Sequence, residues 1–161
     1  MKISFLTLFA ILISLLPSTG EAAQRRKYSP DELGPGFEKC VFEMGREYDG
    51  RVVATLVRKL TEQKSAKAVL YIHGFSDYFY QTELAKRYNE MGFNFYALDL
   101  RRCGRSILKG QTPFYIKSVK EYFPEIDSAI KVIRSEGNSG FIINAHSMGG
   151  LVTSLYLESR V

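Results

Sequence analysis

The sequence predicts an α/β domain in which an antiparallel hairpin precedes a parallel sheet with crossover helices. Three observations support this prediction. Two strand-like runs flank the pair Asp49-Gly50, which is typical of a tight hairpin turn. Three short apolar runs follow, and segments with helical spacing of their apolar residues alternate with them. A helix between two strands returns the chain to the edge of the sheet where the first strand began, through a right-handed crossover. This alternation therefore predicts parallel strands.

The composition indicates one globular domain with a substantial core. The chain has 161 residues, of which 45% are hydrophobic and 13% aromatic, and these values exclude a disordered chain. The formal net charge is +5, and the run QRRKY supplies part of the excess. This basic leader offers a contact with acidic lipid headgroups, although a solvated leader is the commoner explanation; no nucleic-acid partner is expected. Cys40 and Cys103 are expected to be buried packing residues.

The first residues predict an export signal. Lys2 precedes the apolar run ISFLTLFAILISLLP, which is short for a membrane span. Cleavage after Ala22 would place Gly20 and Ala22 at the two small-residue positions of a cleavage site. We therefore expect a signal peptide over residues 1–22 and a periplasmic or secreted protein. An uncleaved N-terminal membrane anchor is the alternative.

The segment after the signal divides into a linker and a hairpin. Residues 23–36 are rich in charged residues, proline and glycine, and are interpreted as a linker, so the folded domain covers residues 37–161. Within that domain, CVFEM and RVVATLVRKL are predicted to be the two hairpin strands, joined through GREYDGR.

The parallel part is predicted from three apolar runs and three helical segments. AVLYI and FNFYAL are strands, and a helix over residues 80–91 lies between them and ends at Gly92. After a loop over residues 99–114, FPEIDSAIKVIRSEGN is a helix with Pro124 in its first turn. GFIINA is the last strand, of fully buried character, and MGGLVTSLYLES begins the last helix.

The segment FIINAHSMGGL contains a candidate nucleophile, Ser147. An apolar strand enters the serine directly and a helix follows it, which is the context of a nucleophile elbow with the pattern small-x-Ser-x-small. Ala145 and Gly149 occupy the two small positions, which approach each other across a strained turn. The alternative is that Ser147 only caps the helix. A cap needs neither the small residues on both sides nor the apolar strand before it.

A second motif, AVLYIHGFSDYF, supplies a candidate oxyanion loop. In serine hydrolases of this architecture, one oxyanion donor is the N–H of the residue after the nucleophile, here Met148, and the other comes from the loop after an earlier strand. Gly74 lets the backbone approach a substrate oxygen, so the Phe75 N–H is the second candidate donor. His73 is expected to support this loop; the alternative is a plain turn with a buried histidine.

Together with YALDLRRCGRS, the motifs YIHGFSDYF and NAHSMGG resemble those of the α/β-hydrolase superfamily, and within it the monoacylglycerol lipase, lysophospholipase and serine aminopeptidase-like group. The resemblance runs from about residue 37 to residue 161 and implies the N-terminal portion of an α/β-hydrolase fold. It also implies hydrolysis of esters or amides through a Ser–His–Asp triad, with Ser147 as nucleophile and no cofactor or metal. Asp99 and Ser106 are interpreted as structural residues of the third motif.

Neither histidine of the sequence is expected to be the general base. His146 adjoins Ser147, and successive side chains diverge on a sharp turn, whereas His73 belongs to the oxyanion loop. The order Ser, Asp or Glu, His in this fold places the acid and the base beyond Val161. We therefore expect the chain to be the front part of a hydrolase. A natural short form that binds without catalysis is the alternative.

Three functions remain open on the sequence alone. The first is an esterase acting on lipid-like or acyl esters such as monoacylglycerols or lysophospholipids. Phe75, Tyr78, Phe79 and Tyr80 suggest an apolar acyl pocket for it, although these aromatic side chains equally suit a core. The second is a serine aminopeptidase, and the third is a non-catalytic binding module. The expected partner is a small-molecule or lipid-like ester.

Overall fold

The structure is a computed structural model that describes residues 27–160. The predicted signal peptide and the first residues of the predicted linker lie outside this range. Among residues 27–160, no helix combines the length and the apolar character needed to span a membrane.

Within residues 27–160, six strands form one mixed sheet, and three α-helices pack on it. The strands are β1 (Ser29–Pro30), β2 (Phe37–Glu47), β3 (Gly50–Lys59), β4 (Lys67–Ile72), β5 (Asn94–Asp99) and β6 (Gly140–Ala145). The helices are α1 (Thr82–Glu90), α2 (Phe123–Ser135) and α3 (Met148–Glu158), with short 3₁₀ turns at Gly104–Ser106 and Val119–Tyr122. The strand order is β1-β2-β3-β5-β4-β6.

The predicted hairpin and the predicted parallel strands are both confirmed. β2 and β3 pair antiparallel, with Glu47 opposite Gly50 across the turn. β4 pairs in parallel with β5 on one side and with β6 on the other. The carboxyl ends of these three strands therefore meet at one edge of the sheet, where their loops lie side by side.

The core occupies both faces of the sheet, because successive residues of a strand point to opposite faces. Leu70 and Ile72 of β4 contribute to the larger cluster, which includes residues of α2 and α3. Val69 and Tyr71 point to the other face and belong to the cluster that includes Ala85 of α1. Cys40 and Cys103 are buried and form no disulfide, as expected of packing residues.

Part of the segment interpreted as a linker lies against the folded domain. Ser29 and Pro30 pair antiparallel with β2, and Asp31 is 6% exposed. A strand of two residues carries no hydrophobic period, so the sequence pattern does not reveal this pairing. The ordered domain consequently begins before Phe37.

β6 is less buried than the sequence predicts. Its residues are exposed or only partly buried, and Ile142 is 50% exposed. Among the described strands, β6 has a neighbour on one side only, namely β4. The apolar run FIIN therefore indicates a strand suited to burial, and this part of the chain covers it incompletely.

Candidate active site

Ser147 lies in a strained turn between β6 and α3. Its backbone has φ of 50° and ψ of −118°, a conformation that costs a residue with a side chain about 1–3 kcal/mol. Its side chain makes no capping hydrogen bond to the helix. Because a capping serine would have extended or similar backbone angles and bond to the helix N–H groups, the geometry does not fit a helix cap. The serine is exposed to solvent.

Gly149 lets α3 approach the end of β4 backbone to backbone. A Cβ at this position would lie 2.5 Å from the carbonyl oxygens of both Ile72 and His73. The His146 N–H also donates to the Ile72 carbonyl at 3.0 Å. Ala145, at the other small position, is the register partner of Ile72. The turn is thus fixed to the carboxyl end of β4 by close contact.

His73 joins the two loops that follow β4 and β5. Its side chain is fully buried, and the Leu100 N–H donates to Nε2 at 3.1 Å. Because Nε2 must accept that bond, Nδ1 carries the proton and donates to the Gly74 carbonyl at 2.7 Å. Burial lowers the pKa of His73, partly offset by the bond to Gly74 and by nearby Asp99. The imidazole is therefore neutral, and both of its nitrogens are hydrogen-bonded to backbone groups.

His73 also sets the direction of the Gly74–Phe75 peptide group. In a trans peptide the C=O and the following N–H point in opposite directions, and no cis peptide occurs in the described residues. Fixing the Gly74 carbonyl on His73 therefore fixes where the Phe75 N–H points. Across residues 27–160, neither the Phe75 N–H nor the Met148 N–H donates a hydrogen bond. The two N–H groups that the sequence predicts as donors therefore have no acceptor within these residues.

The loop after β4 and the turn after β6 lie in contact at Gly74. A Cβ on this glycine would lie 3.4 Å from the Ser147 Cβ and 2.9 Å from Nδ1 of His146. The structure therefore brings Ser147 next to the peptide that carries one of the two open N–H groups. The two motifs, separated along the chain, form one site at the carboxyl edge of the sheet.

Neither histidine contacts the Ser147 hydroxyl by a hydrogen bond. His73 is occupied by backbone groups on both sides. The His146 side chain is 67% exposed and its Nδ1 lies 4.0 Å from a carboxylate oxygen of Asp77. Within the described residues, no imidazole is hydrogen-bonded to the Ser147 hydroxyl.

Asp99 and Ser106 are both buried and hydrogen-bonded. The Asp99 carboxylate accepts the Phe79 N–H at 2.9 Å, and the Ser106 hydroxyl donates to the Asp99 carbonyl at 2.8 Å. Arg105 also donates to Asp99 at 2.8 Å and forms two bonds with Asp31. The sequence patterns miss Arg105 and Asp31, because 74 residues separate them and no local signal links them.

The aromatic residues of the loop divide between core and surface. Phe79 is fully buried and its ring lies 5.0 Å from that of Phe95. Phe75, Tyr78 and Tyr80 are exposed, with Phe75 at 65%. The core interpretation is therefore confirmed for Phe79, whereas the acyl-pocket interpretation of its three exposed neighbours stays a prediction.

A family model supports an evolutionary assignment for most of the domain. The model described as serine aminopeptidase, S33, matches residues 63–160. No curated protein matches the sequence significantly.

Solved structures of several hydrolases are similar to the chain. A thermostable carboxyl esterase from Bacillus coagulans in complex with glycerol has a TM-score of 0.64 and 16% identity, covering 79% of this chain and 41% of that one. A probable hydrolytic enzyme from Pseudomonas aeruginosa has a TM-score of 0.59 and 14% identity. The likeness covers 84% of this chain and 40% of that one. For an epoxide hydrolase from Vigna radiata the TM-score is 0.58 at 20% identity, covering 78% and 37%. At these identities the likeness shows a shared fold, and the chain spans about two fifths of the length of these structures.

Proposed function

The chain belongs to the serine aminopeptidase S33 family of hydrolases and has the α/β-hydrolase fold, and on this premise we propose that it is a serine hydrolase of carboxylic esters. The observation that carries the proposal is the backbone of Ser147. An exposed serine in a strained conformation, beside two unengaged N–H groups, is an arrangement that a helix cap does not require.

In the proposed reaction, the Ser147 hydroxyl oxygen attacks the carbonyl carbon of the ester. The carbonyl oxygen becomes an oxyanion and accepts hydrogen bonds from the Phe75 and Met148 N–H groups, each worth roughly 100- to 1,000-fold in turnover. The bond to the alcohol then breaks, leaving an acyl group on Ser147 that water removes. Both steps need a base that takes a proton and returns it to the leaving oxygen.

The geometry of the two histidines supports placing this base elsewhere. A protonated His73 would lose its bond from the Leu100 N–H, and the fully buried site disfavours the charge. His146 points toward Asp77 and makes no bond to the serine. We therefore assign the role of base to neither of these histidines.

The exposed aromatic side chains support an apolar, lipid-like or acyl substrate. Phe75 lies 6.2 Å from Phe114 between ring centres, and Tyr78 lies 5.4 Å from Tyr80. These rings adjoin the peptide that carries one proposed oxyanion donor, so they can cover an acyl chain. The matched family description favours a second candidate, an aminopeptidase, which uses the same attack on an amide. Comparing turnover of a p-nitrophenyl ester with that of an amino-acid p-nitroanilide separates the two.

The test is covalent labelling of the full-length protein, including any sequence after residue 161, with an alkyl fluorophosphonate. We expect one probe per chain on the peptide that contains Ser147 and no labelling of Ser147→Ala. Ser154→Ala is the matched control, because Ser154 is an exposed serine of α3, the helix that follows Ser147, and its hydroxyl donates to the Gly150 carbonyl. Labelling that persists in Ser147→Ala, or a probe attached to another residue, would show that the nucleophile is wrongly assigned.

A further inference from the structure

The loop that carries the Phe75 N–H is held at its far end through Phe79. The Phe79 N–H donates to Asp99 at 2.9 Å, and its carbonyl accepts from the Arg105 guanidinium at 2.9 Å. The Phe79 ring packs among Phe37, Tyr71 and Phe95 in the core. One residue thus fixes the loop by its N–H, its carbonyl and its side chain.

Arg105 organises this anchor from the loop after β5. Its Nη1 contacts both Asp99, at 2.8 Å, and the Phe79 carbonyl. The remaining edge of the guanidinium faces Asp31, with Nε donating at 2.8 Å and Nη2 at 2.9 Å to the two carboxylate oxygens. A planar guanidinium can make this fork and the second set of bonds at the same time, which an ammonium cannot.

Arg105, Asp31 and Asp99 form a buried charge cluster in which each charge stabilises those of opposite sign. The Arg105 side chain is 7% exposed, and those of Asp31 and Asp99 are fully buried. Lys39 lies 3.2 Å from Asp31 and brings the cluster to two positive and two negative groups. Although burial would raise the pKa of Asp31, the hydrogen bonds from Arg105 and Leu33 lower it overall. Replacing the Asp31 carboxylate by an amide removes the charge and one of its two acceptors, so at least one buried Arg105 donor loses its partner, which favours movement of the guanidinium toward water.

We infer that Arg105, with Asp31 as its counter-charge, is a positioning residue for the oxyanion loop. The loop between His73 and Phe79 has an anchor at each end, and Arg105 completes the second. Loosening that end removes one of the two restraints on the loop, so the direction of the Phe75 N–H varies more. The inference rests on the proposed function, because it assigns a role in aiming the Phe75 N–H.

The N-terminal segment thereby becomes part of the site. Asp31 precedes residues 63–160, which the family model matches, whereas Arg105 and Phe79 lie within them. A residue outside the matched region neutralises a buried guanidinium inside it. The segment before β2 accordingly contributes to positioning the oxyanion loop.

The experiment compares Asp31→Asn with wild-type full-length protein by hydrogen–deuterium exchange and by ester kinetics. We expect exchange of the Phe79 amide to rise about tenfold or more, since its N–H donates to the Asp99 carboxylate that Arg105 also contacts. The kcat should fall about tenfold while KM stays nearly constant, because an oxyanion donor acts mainly on the transition state. Arg105→Lys keeps the charge but loses the fork, so it should give the same pattern.

Glu43→Gln is the matched control. It also removes a carboxylate paired with an arginine, Arg51, but both side chains are more than half exposed on the hairpin. It should leave exchange of the Phe79 amide and kcat unchanged. Unchanged exchange in folded Asp31→Asn, or increased exchange with unchanged kcat, overturns the inference. Failure of wild-type protein to label on Ser147 would instead refute the proposed function, and the exchange data would still decide whether Arg105 holds the loop.

Discussion

The two halves of the candidate site are held in place by different forces. The loop from His73 to Phe79 is fixed by side chains that hydrogen-bond its backbone, with His73 at one end and Asp99 and Arg105 at the other. The turn around Ser147 has no such side-chain anchor among the described residues. It is fixed by backbone groups alone, through the contact of Gly149 with the end of β4 and the bond from the His146 N–H to the Ile72 carbonyl.

This difference determines which changes each half tolerates. A loop held by hydrogen bonds loses its shape when a donor or acceptor disappears or changes protonation, but it tolerates added volume where neighbours can move. A turn held by backbone contact is insensitive to pH but intolerant of a single added carbon. Three substitutions test this contrast, ranked by the expected loss in free energy of unfolding.

Gly149→Ala should have the largest effect. Its Cβ would lie 2.5 Å from two backbone carbonyl oxygens, which cannot rotate aside as a side chain would. Overpacking of this kind costs about 3 kcal/mol or more, and Ser147 would shift with the turn. Chemical denaturation measures the first effect and the rate of fluorophosphonate labelling the second.

Gly150→Ala is the control for this prediction, because a Cβ at the next position meets no atom within 4 Å. In a helix interior, alanine is favoured over glycine by about 0.5–1 kcal/mol, so Gly150→Ala should be neutral or stabilising. Equal stability of the two variants would contradict a turn held by backbone contact.

His73→Asn should have the second largest effect, in the half held by hydrogen bonds. Asparagine cannot reach both the Leu100 N–H and the Gly74 carbonyl, so one buried group loses its partner at a cost of about 2 kcal/mol. The Phe75 N–H is also no longer held in one orientation, so turnover should fall by up to about 100-fold. Urea denaturation and ester kinetics measure the two quantities.

The stability difference between wild type and His73→Asn should also depend on pH, which gives a second test of His73. Burial lowers the pKa of the imidazole in the folded protein, so the unfolded chain takes up the proton first as pH falls below about 6.5. The contribution of His73 is therefore complete above that pH and decreases below it. The stability gap between wild type and His73→Asn should narrow between about pH 7 and pH 5. A stability difference that stays constant or widens would mean that the buried His73 imidazole is not neutral in the folded protein.

Gly74→Ala should have the smallest effect on stability, although this glycine lies at the contact between the two halves. The nearest atom to its Cβ is Nδ1 of His146, at 2.9 Å, and that ring is mostly exposed and can turn away. We expect a loss below about 1 kcal/mol, with a measurable decrease in labelling rate because the Ser147 Cβ is the next neighbour at 3.4 Å. Thermal unfolding and labelling kinetics check both values. A loss as large as that of Gly149→Ala would show that His146 is fixed.

Local sequence patterns predicted most of the elements to within a few residues. The predicted helix over residues 80–91 corresponds to Thr82–Glu90, and the last helix begins at Met148 as expected. These elements have strong periodic signals and clear start and stop residues. β1 was missed, and the burial of β6 was overestimated, because both depend on neighbours that lie far away in the sequence.

The sequence by itself determined which backbone geometries are possible at the site. Glycine at position 149 permits the close approach to β4, and an apolar strand followed by Ser147 and a helix determines where the strained turn lies. These constraints act between adjacent residues, so local patterns reveal them. Only the tertiary structure decided that Asp31 pairs with Arg105 and that His73 bonds Leu100. Buried polar groups must find partners wherever the fold brings them, and no short-range pattern records that choice.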